Sequence, residues 1–124
     1  MRILIDTSTF LFIVHEPKKL SRRALRALED PDAEIEMSTL SLSEIAIKGP
    51  TRLDLAPSQI RFEIERSGIS LLPFQEIHAW AFLDLPKYHD DPFDRQLIAQ
   101  AIAEEIPVVT PDVSFDLYPV KVIW

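Results

Sequence analysis

Short apolar runs alternate with helical stretches along this chain of 124 residues, and this alternation limits its fold more than any other feature. Strands are predicted at residues 2–5, 34–37, 69–72, 108–110 and 120–123. Apolar residues at helical spacing predict helices at residues 10–14, 20–28, 38–48, 57–66, 75–83 and from 92 onward. Strands that alternate with helices predict an α/β fold, in which a central, mainly parallel β-sheet is flanked by helices on both faces. Functional residues in such folds lie at the carboxyl ends of the strands.

Glycine and proline mark several of the predicted helix ends. Gly49 and Pro50 are expected to end the helix that begins at residue 38, and Gly68 to end the helix at residues 57–66. Asp91 precedes Pro92, an order typical of a capping residue followed by the first residue of a helix. The elements follow one another without a repeat or a linker, so we predict a single domain covering residues 1–124.

The composition is that of a folded protein without cysteine. Hydrophobic residues make up 47% and charged residues 27% of the chain, which is typical of a compact domain. The absence of cysteine excludes a disulfide framework, a thiolate zinc site and a cysteine nucleophile. The apolar run near the N-terminus is interrupted by Asp6 and has no small-residue cleavage site, so we expect neither export nor a membrane partner. These features favour a cytoplasmic location.

The formal net charge of −7 argues against broad, non-specific binding of nucleic acid, which depends on Lys and Arg contacts to phosphate. Divalent cations would remove this obstacle if several carboxylates line one cleft, because the ions invert the local charge that a phosphate meets. Lys18, Arg22 and Arg26 recur every four residues and predict a basic helix face, which is either merely solvated or steers RNA. His89 is either an RNA contact or, as we expect, an exposed loop histidine.

Four acidic residues occupy positions of interest. Asp6 ends the first strand, Glu44 lies inside the third helix, Asp94 opens the last helix, and Asp112 follows a late strand. Carboxylates gathered at one edge would repel one another, and a bound Mg²⁺ or Mn²⁺ would remove that conflict. Such a site suits phosphodiester hydrolysis by a metal-activated water. Each acid also has a purely structural interpretation, namely a helix cap for Asp6 or Asp94, a solvated helix position for Glu44 and a turn for Asp112.

Neighbouring polar residues are weaker candidates. Thr7 and Ser8 would either bind a metal-bound water or phosphate, or cap the helix that follows the first strand. Arg95 would either neutralise the charge that develops on a phosphate, or form an ion pair with Asp91 or Glu44.

Four segments resemble, in order, the acidic motifs of PIN-domain ribonucleases, and most closely those of VapC-type toxins that carry a DPFDR segment. The segments are LIDTSTFLF, LSLSEIAIK, HDDPFDRQLIAQA and VVTPDVSFDLYPVKVIW, and DPFDR is intact at residues 91–95. The resemblance spans nearly the whole chain. It implies that Asp6, Glu44, Asp94 and Asp112 are catalytic and bind the metal, with Asp91 as an auxiliary acid or helix cap.

The resemblance also implies an activity and partners. It implies a single PIN-like domain that acts as a Mg²⁺- or Mn²⁺-dependent endoribonuclease, the toxin of a type II toxin–antitoxin pair. A cognate antitoxin would inhibit it, and a homodimer is expected. Bulky apolar residues at positions 10–14 and around Trp80 should mostly be core, but any excess would serve these two protein contacts. The chain departs from many relatives at Pro111, where they have a basic residue, and at Leu42 and Ser43, where an aromatic residue often precedes the acid.

Other α/β proteins with an acidic residue after the first strand fit the sequence less well. A phospho-acceptor receiver domain needs an acidic pair there, whereas Thr7 follows Asp6 and no Asp ends the third predicted strand. A phosphatase with an aspartyl nucleophile usually needs a second Asp two residues further on, where this chain has Ser8. The alternative is a degenerate, noncatalytic PIN-like module that only binds its partner, although all four acids are present.

Overall fold

A computed structural model of the protein describes residues 1–48 and 55–124. Within these residues, five parallel strands form one sheet with the order β3-β2-β1-β4-β5. The strands are β1 (Arg2–Ile5), β2 (Glu34–Ser38), β3 (Ser70–Leu72), β4 (Val108–Val109) and β5 (Val122–Ile123). The helices are α1 (Thr7–His15), α2 (Arg22–Glu29), α3 (Thr39–Lys48), α4 (Pro57–Arg66), α5 (Glu76–Asp84) and α6 (Pro92–Glu104), with 3-10 helices at Pro17–Lys19 and Val113–Leu117. The predicted α/β fold with a parallel sheet is confirmed.

Most element boundaries agree with the sequence prediction to within two residues. The first helix begins earlier than predicted, at Thr7, because the side chain of Asp6 caps it. Gly68 follows α4 with a φ angle of 69°, the left-handed conformation that ends a helix and favours glycine. The helix end predicted at Gly49 and Pro50 lies outside the described residues. No helix in the described ranges is long and apolar enough to cross a membrane.

The two faces of the sheet are buried under different helices. On one face, Ile3 and Ile5 pack with Phe10 of α1 and with residues of α2, α3 and α4. On the opposite face, Leu4 packs with Leu97 of α6 and with the second 3-10 helix. Because alternate residues of a strand point to opposite faces, a strand buried on both sides is a continuous apolar run, as β1 is.

The strand order predicts a crevice at the carboxyl ends of β1 and β4, where the direction of the chain connections reverses. The chain passes from β1 outward to β2 and β3, and then returns to place β4 on the other side of β1. At such a reversal the connections leave two neighbouring strands toward opposite faces, and the space between them is the usual ligand site of an α/β sheet. Asp6 follows β1 at this point, and Thr110 follows β4.

An ion-pair network ties the opposite end of the sheet. Arg2 lies 2.7 Å from Glu36 and 2.8 Å from Glu104, and Glu104 lies 3.2 Å from the Nε2 of the buried His78. The hydrogen bonds from Arg2 and then His78 lower the pKa of Glu104. The network joins β1 and β2 to α5 and α6, and it therefore stabilises the sheet at the end away from the crevice.

Candidate active site

Asp6 is buried at the start of the crevice, with 3% of its surface exposed. Its Oδ1 accepts a hydrogen bond from the backbone N–H of Thr9 at 2.8 Å, and its Oδ2 accepts one from the hydroxyl of Thr110 at 2.6 Å. Burial raises the pKa of Asp6, although the hydrogen bonds from Thr110 and Thr9 act in the opposite direction. Asp6 is therefore the cap of α1, and it is also a carboxyl group whose ionisation is opposed by burial.

Asp94 lies in the first turn of α6, next to the residues that begin this helix. The Asp91 side chain accepts hydrogen bonds from the backbone N–H groups of Phe93 and Asp94 at 2.9 and 3.1 Å, so Asp91 is the helix cap. Burial first, then the charge of Asp91 and the hydrogen bond with Asp112, raise the pKa of Asp94 to about 8.

Asp112 keeps its charge more readily than Asp6 and Asp94 do, because its pKa is lowered whereas theirs are raised. It caps the second 3-10 helix, and its Oδ1 accepts hydrogen bonds from the backbone N–H and the hydroxyl of Ser114 at 2.9 and 2.7 Å. Its own N–H donates to the hydroxyl of Thr110 at 3.0 Å, the hydroxyl that also binds Asp6. Burial acts to raise the pKa of Asp112, but the hydrogen bonds from Ser114 and Asp94 outweigh it and lower that pKa.

Glu44 lies on α3 and is held by partners of its own. It is 9% exposed, so its interpretation as a solvated helix residue is wrong. The hydroxyl of Thr7 donates to Glu44 Oε1 at 2.5 Å, and the Nζ of Lys48 lies 2.6 Å from Oε2 and 3.9 Å from Asp91. The hydrogen bond to Glu44 raises the pKa of Lys48. Ser8, the other hydroxyl candidate, is exposed.

The three aspartates Asp6, Asp94 and Asp112 form one group, which we call the aspartate cluster. Within residues 1–48 and 55–124, no group of three or more acidic or histidine side chains surrounds a single point in the way that a bound metal ion would require. The donor chemistry nevertheless suits a hard divalent cation, because the cluster offers oxygen atoms and Mg²⁺ commonly uses one or two carboxylates together with water. The raised pKa of Asp94 means that the metal-free cluster retains a proton at neutral pH.

The sequence identifies the family to which this arrangement belongs. It matches the PIN domain family over residues 3–121. The chain is a member of the PIN-domain family. No curated protein sequence matches it.

The PIN fold of this chain is similar to that of solved structures with low sequence identity. A chain in the structure of VapBC2 from Rickettsia felis bound to a DNA fragment from their promoter is 16% identical, with a TM-score of 0.76, and 98% of this chain and 97% of that chain are covered. FitAcB from Neisseria gonorrhoeae is 22% identical, with a TM-score of 0.62 and coverage of 97% and 95%. VapBC-5 from Mycobacterium tuberculosis, a member of the VapBC family of toxin-antitoxin systems, is 19% identical, with a TM-score of 0.61 and coverage of 98% and 97%. At these identities the likeness is evidence of fold alone.

Arg95 of the DPFDR segment is directed toward α5. Its Nη2 donates to the carbonyl of Leu85 at 3.2 Å, and its guanidinium carbon lies 5.1 Å from the centre of the Phe82 ring. The ion pair predicted with Asp91 or Glu44 is not formed among these described residues, because the guanidinium is held by the Leu85 carbonyl and the Phe82 ring instead. Arg95 ties α6 to the end of α5, and a contact with phosphate stays a prediction.

The predicted basic residues are exposed but do not share one helix. Arg22 and Arg26 lie on α2, whereas Lys18 lies in the preceding 3-10 helix. The prediction of a single basic helix face is wrong for Lys18. Pro17 begins the 3-10 helix that contains Lys18, and the hydroxyl of Ser21 caps α2, which is a separate helix. A role of these side chains in steering RNA stays a prediction.

Several residues that were not assigned to the site contact the acids, among them Ser114, which is described above. Thr110 binds Asp6, and Lys48 forms an ion pair on α3, where its spacing of four residues from Glu44 is a visible signal. The side chain of His89 is 16% exposed, and its Nε2 lies 3.6 Å from Asp94 Oδ2. The expectation of an exposed loop histidine is therefore wrong, and no local pattern reveals this, because tertiary contacts set the position of His89.

Proposed function

We propose that this PIN domain is a Mg²⁺- or Mn²⁺-dependent endoribonuclease and the toxin of a type II toxin–antitoxin pair in the cytoplasm. The observation that carries the proposal is the aspartate cluster at the carboxyl ends of β1 and β4. Without a cation, Asp94 retains a proton at neutral pH, because burial and neighbouring acids oppose its charge. A divalent cation would replace that proton and allow the cluster to ionise.

Asp6, Asp94 and Asp112 are the residues that would hold the cation. Glu44 would join them only after Lys48 moves away, because the Lys48 ammonium lies 2.6 Å from its carboxylate. When bound, the ion would lower the pKa of a water molecule and stabilise charge on the phosphodiester group.

The residues of the chain itself prepare the crevice for RNA. Thr110 holds Asp6 and Ser114 holds Asp112, so both carboxyl groups are oriented before any ligand arrives. Lys48 is 46% exposed at its side chain and supplies positive charge beside the acids, where an RNA phosphate would meet it. Local charge of this kind makes the overall net charge of −7 compatible with an RNA substrate.

Two apolar surfaces suit the protein partners that the proposal requires. A groove of about 750 Å³ between α3 and α4 is lined mainly by aliphatic side chains, which include Leu42 and Ile64. It would bind the apolar face of an amphipathic helix from a cognate antitoxin. On α5, Ile77, Trp80 and Leu83 are 57%, 61% and 74% exposed. We assign this surface to a homodimer contact, because exposed apolar patches commonly mark interfaces.

Cleavage of a mixed RNA pool by the purified protein tests the nuclease activity. The reaction is run with Mg²⁺, with Mn²⁺ and with a chelator, for the parent and for the Asp6→Asn and Asp94→Asn variants. The matched control is Asp116→Asn, because Asp116 is exposed and lies outside the aspartate cluster. We expect metal-dependent cutting by the parent and the control, and loss of cutting in both cluster variants.

Two other outcomes would contradict the proposal. Cutting that persists in the Asp6→Asn and Asp94→Asn variants would assign the activity to another site or to a contaminant. A folded parent that binds Mn²⁺ but cuts no RNA would favour the degenerate, partner-binding module.

A further inference from the structure

The connection between α5 and α6, at residues 85–91, is fastened to a buried tyrosine. Tyr118 is 4% exposed, and its hydroxyl oxygen accepts hydrogen bonds from the backbone N–H groups of Tyr88 at 3.0 Å and His89 at 3.2 Å. The same hydroxyl lies 2.9 Å from the Nδ1 atom of the His89 ring. One side chain therefore fixes both the backbone and the imidazole of His89.

The bonding capacity of this hydroxyl determines the tautomer of His89. A tyrosine hydroxyl has a single proton to donate, and the oxygen of Tyr118 already accepts from two backbone N–H groups. Its own proton is therefore directed to Nδ1 of His89, which must act as an acceptor. A neutral imidazole that accepts at Nδ1 carries its proton at Nε2.

The Nε2 atom of His89 faces the aspartate cluster. It lies 3.6 Å from Asp94 Oδ2, and among the residues that the structure describes it is buried without a hydrogen-bond partner. A buried N–H without a partner costs free energy, and contacts in an empty site are often long and tighten when the ligand binds. Because Nε2 is buried, its N–H is suited to act on RNA chemistry only through Asp94.

We propose that His89 is a positioning residue for the Asp94 carboxyl group, held in its Nε2–H tautomer by Tyr118. In this role the Nε2–H donates to Asp94 and restricts the orientation of the carboxylate that the cation needs. The inference rests on the proposed function, in which Asp94 is a cation ligand. Hydrogen bonds that orient a metal ligand typically change metal affinity by about 10- to 100-fold.

Two substitutions of His89 separate the two ring nitrogens. In His89→Asn the amide lies near the position of Nδ1 and keeps the contact with Tyr118, whereas in His89→Gln it reaches the position of Nε2 and faces Asp94. Binding of Mn²⁺ to the folded proteins is measured by calorimetry. We expect the affinity to fall about tenfold in His89→Asn and to stay near that of the parent in His89→Gln.

The tautomer itself is measured on the metal-free protein. Long-range ¹⁵N–¹H NMR, recorded at a pH at which the imidazole is neutral, distinguishes a proton at Nε2 from one at Nδ1. We expect Nε2–H in the parent and a loss of this preference in Tyr118→Phe, which keeps the packed ring but has no hydroxyl.

Either of two results overturns the proposal. One is an Nδ1–H tautomer in the parent, and the other is a His89→Asn variant that binds Mn²⁺ as tightly as the parent. Neither measurement uses RNA, so a parent that shows the expected tautomer and Mn²⁺ affinities but leaves RNA intact would overturn the nuclease activity and support the role of His89.

Discussion

Replacing Asp94 with asparagine is expected to stabilise the metal-free protein at neutral pH, although it removes a proposed metal ligand. The pKa of Asp94 is raised from 3.8 to about 8 in the folded protein. Between these two pH values the folded protein keeps a proton that the unfolded chain has released. The contribution of Asp94 to the free energy of unfolding therefore falls as pH rises through this window, and it levels off above the folded-state pKa.

The size of the effect follows from the width of the window. Each pH unit above the unfolded pKa lowers the free energy of unfolding by about 1.4 kcal/mol, which amounts to about 4 kcal/mol at neutral pH. Asparagine has nearly the same shape as aspartic acid, carries no charge and has an amide N–H that can donate to a neighbouring carboxylate. We expect the free energy of unfolding of Asp94→Asn to exceed that of the parent by about 2 to 4 kcal/mol at neutral pH. Near the pKa of Asp94 in the unfolded chain, the two free energies should be almost equal.

Urea unfolding of the parent, Asp94→Asn and Asp116→Asn across this pH window measures the difference. The exposed Asp116 provides the control, because its substitution should leave the free energy of unfolding nearly unchanged at every pH. Equal stabilities of the parent and Asp94→Asn at neutral pH would refute the assignment of a retained proton to Asp94. In addition, Mg²⁺ should raise the stability of the parent more than that of the variant.

Three further substitutions test other contacts. Asp6→Ala should be less stable than Asp6→Asn by about 1 to 2 kcal/mol in urea unfolding, because alanine cannot cap α1, and equal stabilities would contradict this. Lys48→Met should reduce RNA cleavage but change the free energy of unfolding by less than about 1 kcal/mol, because its ion pair with Glu44 is partly solvated. The control is Lys87→Met, which removes an exposed ion pair and should change neither the cleavage nor the free energy of unfolding. Gly68→Ala should lower the free energy of unfolding by about 1 to 2 kcal/mol, because the φ angle of 69° strains any residue with a Cβ, and an unchanged thermal midpoint would argue against this.

The chain positions of the aspartates were predictable, whereas their ionisation was not. Asp6 and Asp112 follow apolar strands, and the rules for parallel sheets place both at one edge. Their pKa values depend on burial and on partners that the fold supplies. Thr110, which binds Asp6, is 104 residues away in the sequence, so no local pattern reveals the contact.

Local capping rules succeeded where tertiary packing did not intervene. Asp91 caps α6 as its position before Pro92 predicts, because only neighbouring backbone groups are involved. Glu44 and His89 were expected to be exposed, and both are largely buried in the structure. Their burial depends on α1 and on Tyr118, elements that are remote in sequence.

The central position of β1 has a consequence for the synthesis of the protein. β1 emerges from the ribosome before its neighbour β4 and the hydroxyl of Thr110, which follow about a hundred residues later. At translation rates of about 5 to 20 residues per second, roughly 5 to 20 seconds separate the two sides of the crevice. Throughout this interval one edge of β1 lacks its strand and the carboxyl group of Asp6 lacks the Thr110 hydroxyl. The crevice therefore forms only after β4 and Thr110 have been synthesised, and a chain that stops short of them does not contain it.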